Sequence, residues 1–272
     1  MAREVNRGKM RAKDICICTS YDERFSQIGD LSAQTLCAYG KRYGFSVQIE
    51  PEVAINRQPA WHRVRYIPEL FKKGYEYVMW LDADALFARY DLDIRTVING
   101  ISDLYLVQHD IEGQRPTPVP NTGVMLIRNS QWSVDLFNTL WNMTEFLEHY
   151  WWENGALIKL LGYNKLLNAG ENNFNDEMLS HITFLPESWN FLPFISSGSD
   201  PFIIHYAGCD RATRNKNIPL DVKKSLEIFY SSSSTFTDLR RWIDPPPLKW
   251  SDLKYVLWHQ GGSEHAKEEA HA

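Results

Sequence analysis

The sequence predicts an α/β fold, a sheet covered by helices, and three observations carry that prediction. The chain opens on a strand, a helix and a second strand between Ile15 and Ile49. The run Tyr77 to Leu81 is continuously apolar or aromatic, which suits a central strand buried on both faces. That run leads directly into two carboxylates, Asp82 and Asp84, and ligand chemistry in open α/β sheets sits at such strand ends.

The elements follow in order. Ile15 to Cys18 form a short apolar strand, and Thr19, Ser20, Tyr21 and Asp22 make a polar βα turn of the kind that holds a nucleotide base or ribose. Ile28, Leu31, Thr35, Ala38 and Tyr39 keep helical spacing from Ile28 to Tyr43, and Gly44 is a stop. Phe45, Val47 and Ile49 alternate with polar residues as a strand does. Glu50 to Ala60 is a loop, and Trp61, Val64, Ile67, Leu70 and Phe71 mark the next helical face. Pro68, which has no N–H to donate, must interrupt that helix or begin its second half.

After Gly74 comes the aspartate-bearing strand. Leu104 to Gln108 is a further strand, and Asp110 to Pro120, with three prolines, a loop. Thr122 to Arg128 is a strand preceded by a turn at Asn121, and Ser130 caps a long helix running towards His149. Glu153 to Leu161 is a helix stopped at Gly162; Asn164 to Asn175 reads as an irregular flap. Ile182 to Leu185 and Phe202 to Tyr206 are late strands, the second delivering His205 and then Gly208. Beyond Ile218 the chain changes character: a helix through Val222, Leu226 and Phe229, four serines, the Pro245 to Pro247 turn, and a tryptophan-bearing segment to Trp258 before a polar, frayed end.

Composition narrows the function. A net charge of -5 over 272 residues, with no basic cluster, argues against a general nucleic-acid partner. Cys16 and Cys18 fall on a buried strand, where cysteine acts as a small hydrophobe, and no C-x-x-C pair marks a zinc site; a reducing, cytoplasmic setting is the simplest reading. The N-terminus is basic without the apolar run of a signal peptide. Ten tryptophans and thirteen tyrosines supply either platforms for sugar rings or a large aromatic core.

Asp82 and Asp84 are the candidate metal anchor. On an extended backbone alternate side chains point the same way, so both would offer oxygen to a hard divalent cation, Mn²⁺ or Mg²⁺ in preference to Zn²⁺. Two aspartates at this spacing also occur on ordinary solvated turns, but the apolar flanks would hold the two charges against their mutual repulsion, a conflict that a cation resolves. His205 at a late strand end is a further ligand of suitable chemistry or else a core histidine.

Five segments in order carry a resemblance: W-H-R at Trp61 to Arg63, Y-V-M-W-L-D-A-D-A-L-F from Tyr77, N-T-G-V-M-L-I-R-N-S-Q-W from Asn121, E-N-G-A-L-I-K-L-L from Glu153 and I-I-H-Y-A-G-C ending at Cys209. Together they resemble the galactosyl, mannosyl and xylosyl transferase family that includes plant xyloglucan xylosyltransferases. The resemblance implies a GT-A, Rossmann-like single domain with a mixed, mainly parallel central sheet at residues 1–230. A C-terminal extension at 231–272 would pack on it. It also implies a retaining transferase that moves a hexosyl or pentosyl unit from a nucleotide-sugar donor, UDP-sugar foremost, to an oligosaccharide or glycoconjugate acceptor.

Carried over position by position, Asp82, Asp84 and His205 match the metal ligands, and Asp82 is also counted with the donor-binding residues Thr19, Tyr21, Arg63, Asn121, Gly123 and Gly208. Glu153 and Asn154 stand where the family has acid then glutamine, which makes them the catalytic candidates. Glu153 would orient or deprotonate the acceptor, and Asn154 would support the donor sugar. Asp210 replaces a family lysine, so the diphosphate charge falls to Arg211, Arg214 or Lys216. The end from Trp242 to Trp258 could close the core, bind acceptor or a second subunit, or associate weakly with a membrane surface. Two rival readings are a haloacid-dehalogenase-like phosphatase, with Leu86 in place of the threonine that such a motif requires, and a non-catalytic sugar-binding protein on the same fold.

Overall fold

The computed structural model describes residues 10–50, 56–110 and 117–232. The chain divides into two compact units, Met1–Phe229 and Tyr230–Ala272. Of the extension expected at 231–272, with its proline turn and tryptophans, everything beyond residue 232 lies outside the described residues.

The strands are β1 (Ile15–Ser20), β2 (Ser46–Glu50), β3 (Tyr77–Leu81), β4 (Ala85–Phe87), β5 (Leu104–His109), β6 (Val119–Arg128), β7 (Ile182–Leu185) and β8 (Ile203–His205). The helices are α1 (Ser26–Tyr43), α2 (His62–Lys72), α3 (Gln131–Asn142), α4 (Trp152–Leu160), α5 (Asp176–Ser180) and α6 (Arg211–Ser231). Six strands form one mixed sheet in the order β2-β1-β3-β6-β5-β7, and β4 pairs with β8 in a separate ribbon. The pairs β1–β2, β1–β3 and β5–β7 are parallel; β3–β6 and β5–β6 are antiparallel.

Burial explains why these residues take these conformations. Every side chain of β1 and β3 is buried, as a strand covered on both faces requires. Cys16 and Cys18 of β1 and Val78 and Trp80 of β3 face one core with α2, α3 and α4, while α1 packs against β1, β2 and β4. Each fully buried aliphatic or aromatic side chain there contributes about 1.5–3 kcal/mol. Gly44, at φ 75°, takes the left-handed conformation that closes α1.

The proline-bearing segments depart from the sequence expectation. Pro68 lies inside an uninterrupted α2: it removes one helical hydrogen bond, but Ile67, Leu70 and Phe71 are buried beside it and hold the turn. β6 begins at Val119, not Thr122, so Pro120 and Asn121 belong to the ladder opposite Gln108 and Val107. The helix capped by Ser130, whose hydroxyl accepts from Ser133 N, stops at Asn142, well short of His149. α6 starts at Arg211, before Ile218, and runs through Pro219. The flap at 164–175 is tied down, with Asn173 and Asn175 donating to the carbonyls of Gly162 and Leu161.

Candidate active site

The last residue of β3 is followed by Asp82, whose N–H donates to Gly123 O of β6 at 2.8 Å. The chain then turns, Ala85 N donating to Asp82 O at 2.9 Å, and β4 leaves along β8 with Ala85 opposite His205. The backbone between the aspartates is therefore a turn, not the extended stretch that the alternation argument assumed. The carboxylates still converge, because the β4–β8 pairing brings the histidine to them. His205 Nε2 lies 3.7 Å from Asp82 Oδ2 and 3.3 Å from Asp84 Oδ1. One ligand atom from each of the three residues lies within 4.8 Å of the others. Two ligands at about 2.1 Å from one cation stand about 3 Å apart when adjacent, so this donor set fits a small divalent ion.

His205 is held from behind. Its Nδ1–H donates to Asn190 Oδ1 at 2.8 Å, Asn190 Nδ2 donates to Asn121 Oδ1 at 3.0 Å, and Gly123 N donates to the same oxygen at 2.8 Å. That chain fixes the orientation of the ring and turns Nε2 toward the carboxylates. Gly123 must be glycine, because a Cβ there would collide with the His205 ring. Asn190 is fully buried, and the sequence offered no more than a lone amide between Trp189 and Phe191 to mark it.

Arg63 lies at the start of α2, 5 % exposed. Its Nη2 is 2.6 Å from Asp82 Oδ1, its Nε 3.3 Å from Glu153 Oε1, and its Nη1 donates to Thr122 O at 2.6 Å. Asp82 Oδ1 also accepts from Trp80 Nε1 at 2.8 Å, so its second oxygen faces His205. Glu153 is 3 % exposed; burial, only partly offset by Arg63, pushes its carboxyl up to about 7. It sits behind Arg63 with Thr122 Oγ1 donating to it at 3.2 Å. Asn154, more accessible, accepts from Thr122 N at 3.0 Å through Oδ1, beside Asn121 and Gly123. Trp152, immediately before this pair, carries a φ of 45°, a strained value for a bulky residue.

The first βα turn reaches the same sheet edge. Cys18 opposite Trp80 is the last pair of the β1–β3 ladder, two residues before Ser20 and Asp82. Thr19 and Ser20 belong to β1 itself, and Thr19 Oγ1 is buried without a hydrogen-bond partner among the described residues. Tyr21 is buried and its hydroxyl donates to Asp30 at 2.7 Å. His62, given no role in the W-H-R segment, pairs its Nδ1 with Ser20 Oγ at 2.8 Å; burial first, then Arg63, lowers its pKa.

Gly208 at φ 69° lines a cavity of about 360 Å³ with His205, Cys209, Asp210 and Thr213. Of the three basic candidates, Arg214 reaches the acidic pair: its Nε donates to Asp84 Oδ2 at 2.7 Å. Arg211 is exposed, and Asp210 accepts from Thr213 N at the start of α6. Burial works against the Asp84 charge, but His205 and Arg214 hold its carboxyl well below the ordinary range.

With this geometry in place, likeness to known proteins becomes informative. A family model described as nucleotide-diphospho-sugar transferase matches residues 55–217. Two rice proteins named "Probable glycosyltransferase 6", from Oryza sativa subsp. indica and subsp. japonica, are 38% and 39% identical over 68 and 67 residues, 24% and 23% of this chain. The match spans 14% of the length of each relative. Among solved structures, a glycosyltransferase involved in glycosylation of the major capsid of PBCV-1 has a TM-score of 0.60 at 14% identity, covering 76% of this chain and 98% of its own. GlyE of Streptococcus pneumoniae TIGR4 has a TM-score of 0.54 at 15% identity, covering 86% of this chain and 65% of its own. The fold is thus the GT-A fold expected from the sequence. Leu86, buried in β4, offers no hydroxyl for the phosphatase alternative.

Proposed function

Because the chain belongs to the nucleotide-diphospho-sugar transferase family, we propose that it is a metal-dependent, retaining glycosyltransferase of the galactosyl, mannosyl and xylosyl transferase type. It moves a hexosyl or pentosyl unit from a nucleoside-diphosphate sugar, a UDP-sugar foremost, to a glycan hydroxyl. The observation that carries this reading is the convergence of Asp82, Asp84 and His205, two separate parts of the chain, beside Asn121, Gly123 and Asn154.

Asp82, Asp84 and His205 would hold Mn²⁺ or Mg²⁺, which as a Lewis acid stabilises the departing diphosphate. The protein's own groups supply the rest. Arg63 and Arg214 place positive charge on either side of the acidic pair, where leaving-group charge develops. Asn154 offers a neutral amide next to the donor strand, suited to supporting a sugar with oxocarbenium character and unsuited to attacking it. With no exposed carboxylate placed as a nucleophile among the described residues, front-face attack fits best, the departing phosphate taking the acceptor proton. Glu153 keeps Arg63 in position.

The test is a panel of UDP-xylose, UDP-galactose and GDP-mannose incubated with Mn²⁺, following sugar release or transfer. Turnover of one donor is expected, lost by at least about a thousandfold in Asp84→Ala while the circular dichroism spectrum is kept. Metal binding without turnover of any donor would leave the sugar-binding alternative standing.

A further inference from the structure

Most of the tryptophan and tyrosine side chains abundant in the sequence are packed inside. Among the described residues, one tryptophan and one tyrosine are exposed, Trp152 at 39% and Tyr150 at 79%. They stand two residues apart in the turn that enters α4, immediately before Glu153 and Asn154.

The turn is built to keep them there. Trp152 holds a φ of 45°, a conformation that a bulky residue adopts only where its surroundings impose it. Its N–H donates to His149 O at 3.0 Å, and Trp151 N donates to His149 Nδ1 at 3.1 Å. The His149 ring in turn occupies the space that a Cβ on residue 155 would need, so glycine stands there. Trp151, between the two exposed rings, packs against the hydrophobic core and anchors the backbone that displays them. Strain of this kind collects at functional sites, and here it falls on the residue just before the two catalytic candidates.

Charge narrows the ligand. No lysine or arginine occurs between Arg128 and Lys159, and the side chains of Glu145 and Glu148 beside the turn are exposed. Arg57 and Arg65 come near this part of the chain, but both lie over the Trp141 ring, 3.6 and 5.1 Å from its centroid. Two rings flanked by two carboxylates disfavour an anionic glycan or an anionic lipid headgroup. They suit a neutral sugar, whose C–H face packs on an aromatic ring and whose hydroxyls donate to carboxylates.

We propose that Tyr150 and Trp152 form a stacking platform for a neutral sugar ring of the acceptor glycan. The proposal rests on the function proposed above. Trp152 and Asn154 are two residues apart, so their Cα atoms lie within about 7 Å, and a glycan on the platform is held beside the amide assigned to the donor sugar.

The experiment titrates cellohexaose, mannohexaose, xylohexaose and hexagalacturonic acid into the full chain by calorimetry, with neither cation nor nucleotide-sugar present. Expected is binding of one of the three neutral hexaoses and none of the acidic one. Trp152→Gly, in which glycine accepts the positive φ and keeps the turn, and Tyr150→Ala should each weaken binding by at least about fivefold. Trp152→Phe, which keeps a ring, should lose less. Failure of all three neutral hexaoses to bind, preference for hexagalacturonic acid, or undiminished affinity in folded Trp152→Gly and Tyr150→Ala overturns the proposal. So does affinity kept in Trp152→Gly and lost in Phe174→Ala, which removes the exposed ring of the asparagine-lined groove at the other end of α4. Hexaose binding that depends on both rings, without transfer from any nucleotide-sugar, would support the platform and sink the proposed transferase. Transfer to a hexaose with a KM indifferent to both substitutions would do the reverse.

Discussion

At the scale of single residues, the site depends on groups whose worth lies in what stands behind them. Gly123→Ala drives a methyl group into the His205 ring. The expected outcome is a Mn²⁺ affinity, measured with UDP present, reduced by about tenfold or more, at a stability loss of about 1–3 kcal/mol for overpacking. Unchanged affinity would show that His205 is not a ligand. Glu153 gives a pH signature. Its carboxyl rises from an ordinary 4.5 to about 7 on folding, so the folded state keeps a proton that the unfolded chain has lost. The stabilisation is full below pH 4.5 and is lost as pH rises through 7, a change on the order of 3 kcal/mol from this group. Urea unfolding between pH 4.5 and 8 should show that slope in the unsubstituted chain and a flatter one in Glu153→Gln; equal slopes would mean that Glu153 titrates normally. Asn190, and the choice of Arg214 among the three basic candidates, were illegible in the sequence for one reason. Their partners Asn121 and Asp84 are 69 and 130 residues away, and no local pattern encodes either pairing.

At the scale of elements, the parts most legible in the sequence were those fixed by their own composition. Tyr77 to Leu81 and Ile182 to Leu185 are strands with the bounds that their apolar runs imply. The helix from Ser26 to Tyr43 ends where Gly44 stops it. What was not legible was the outcome of competition between local cost and tertiary gain, as at Pro68 and Pro120, where the proline penalty is real but burial and ladder pairing outweigh it. Ser130 is a clean local test because its hydroxyl caps α3 at the far end of β6 from the site. Ser130→Ala should cost about 1 kcal/mol, read as a lowered denaturant midpoint, and leave donor turnover unchanged. A loss of turnover out of proportion to stability would mean that α3 transmits strain to β6.

At the scale of the whole molecule, the two aspartates were legible in one continuous stretch, whereas the residues alone left His205 open between a ligand and a core histidine and only the family resemblance assigned it, because its place depends on how the sheets are joined. The reversal of direction between β3 and β6 sets Gly123 and Asn121 beside Asp82, and the β4–β8 ribbon delivers His205. Mn²⁺ with UDP at about a hundred times the dissociation constant should stabilise the folded chain by about 2.7 kcal/mol, seen as a raised melting temperature that EDTA reverses. A melting temperature indifferent to both additions would argue against a cation bridging these elements. The ribbon also sets a schedule. Its strands are three residues each and lie far apart along the chain, so their pairing closes a long loop for few contacts and belongs late in folding. A nascent chain with β8 still inside the ribosome holds both aspartates but not yet His205. Competence to capture the cation would then arrive as a signal of completion, and its kinetics in refolding would time the last closure of the molecule.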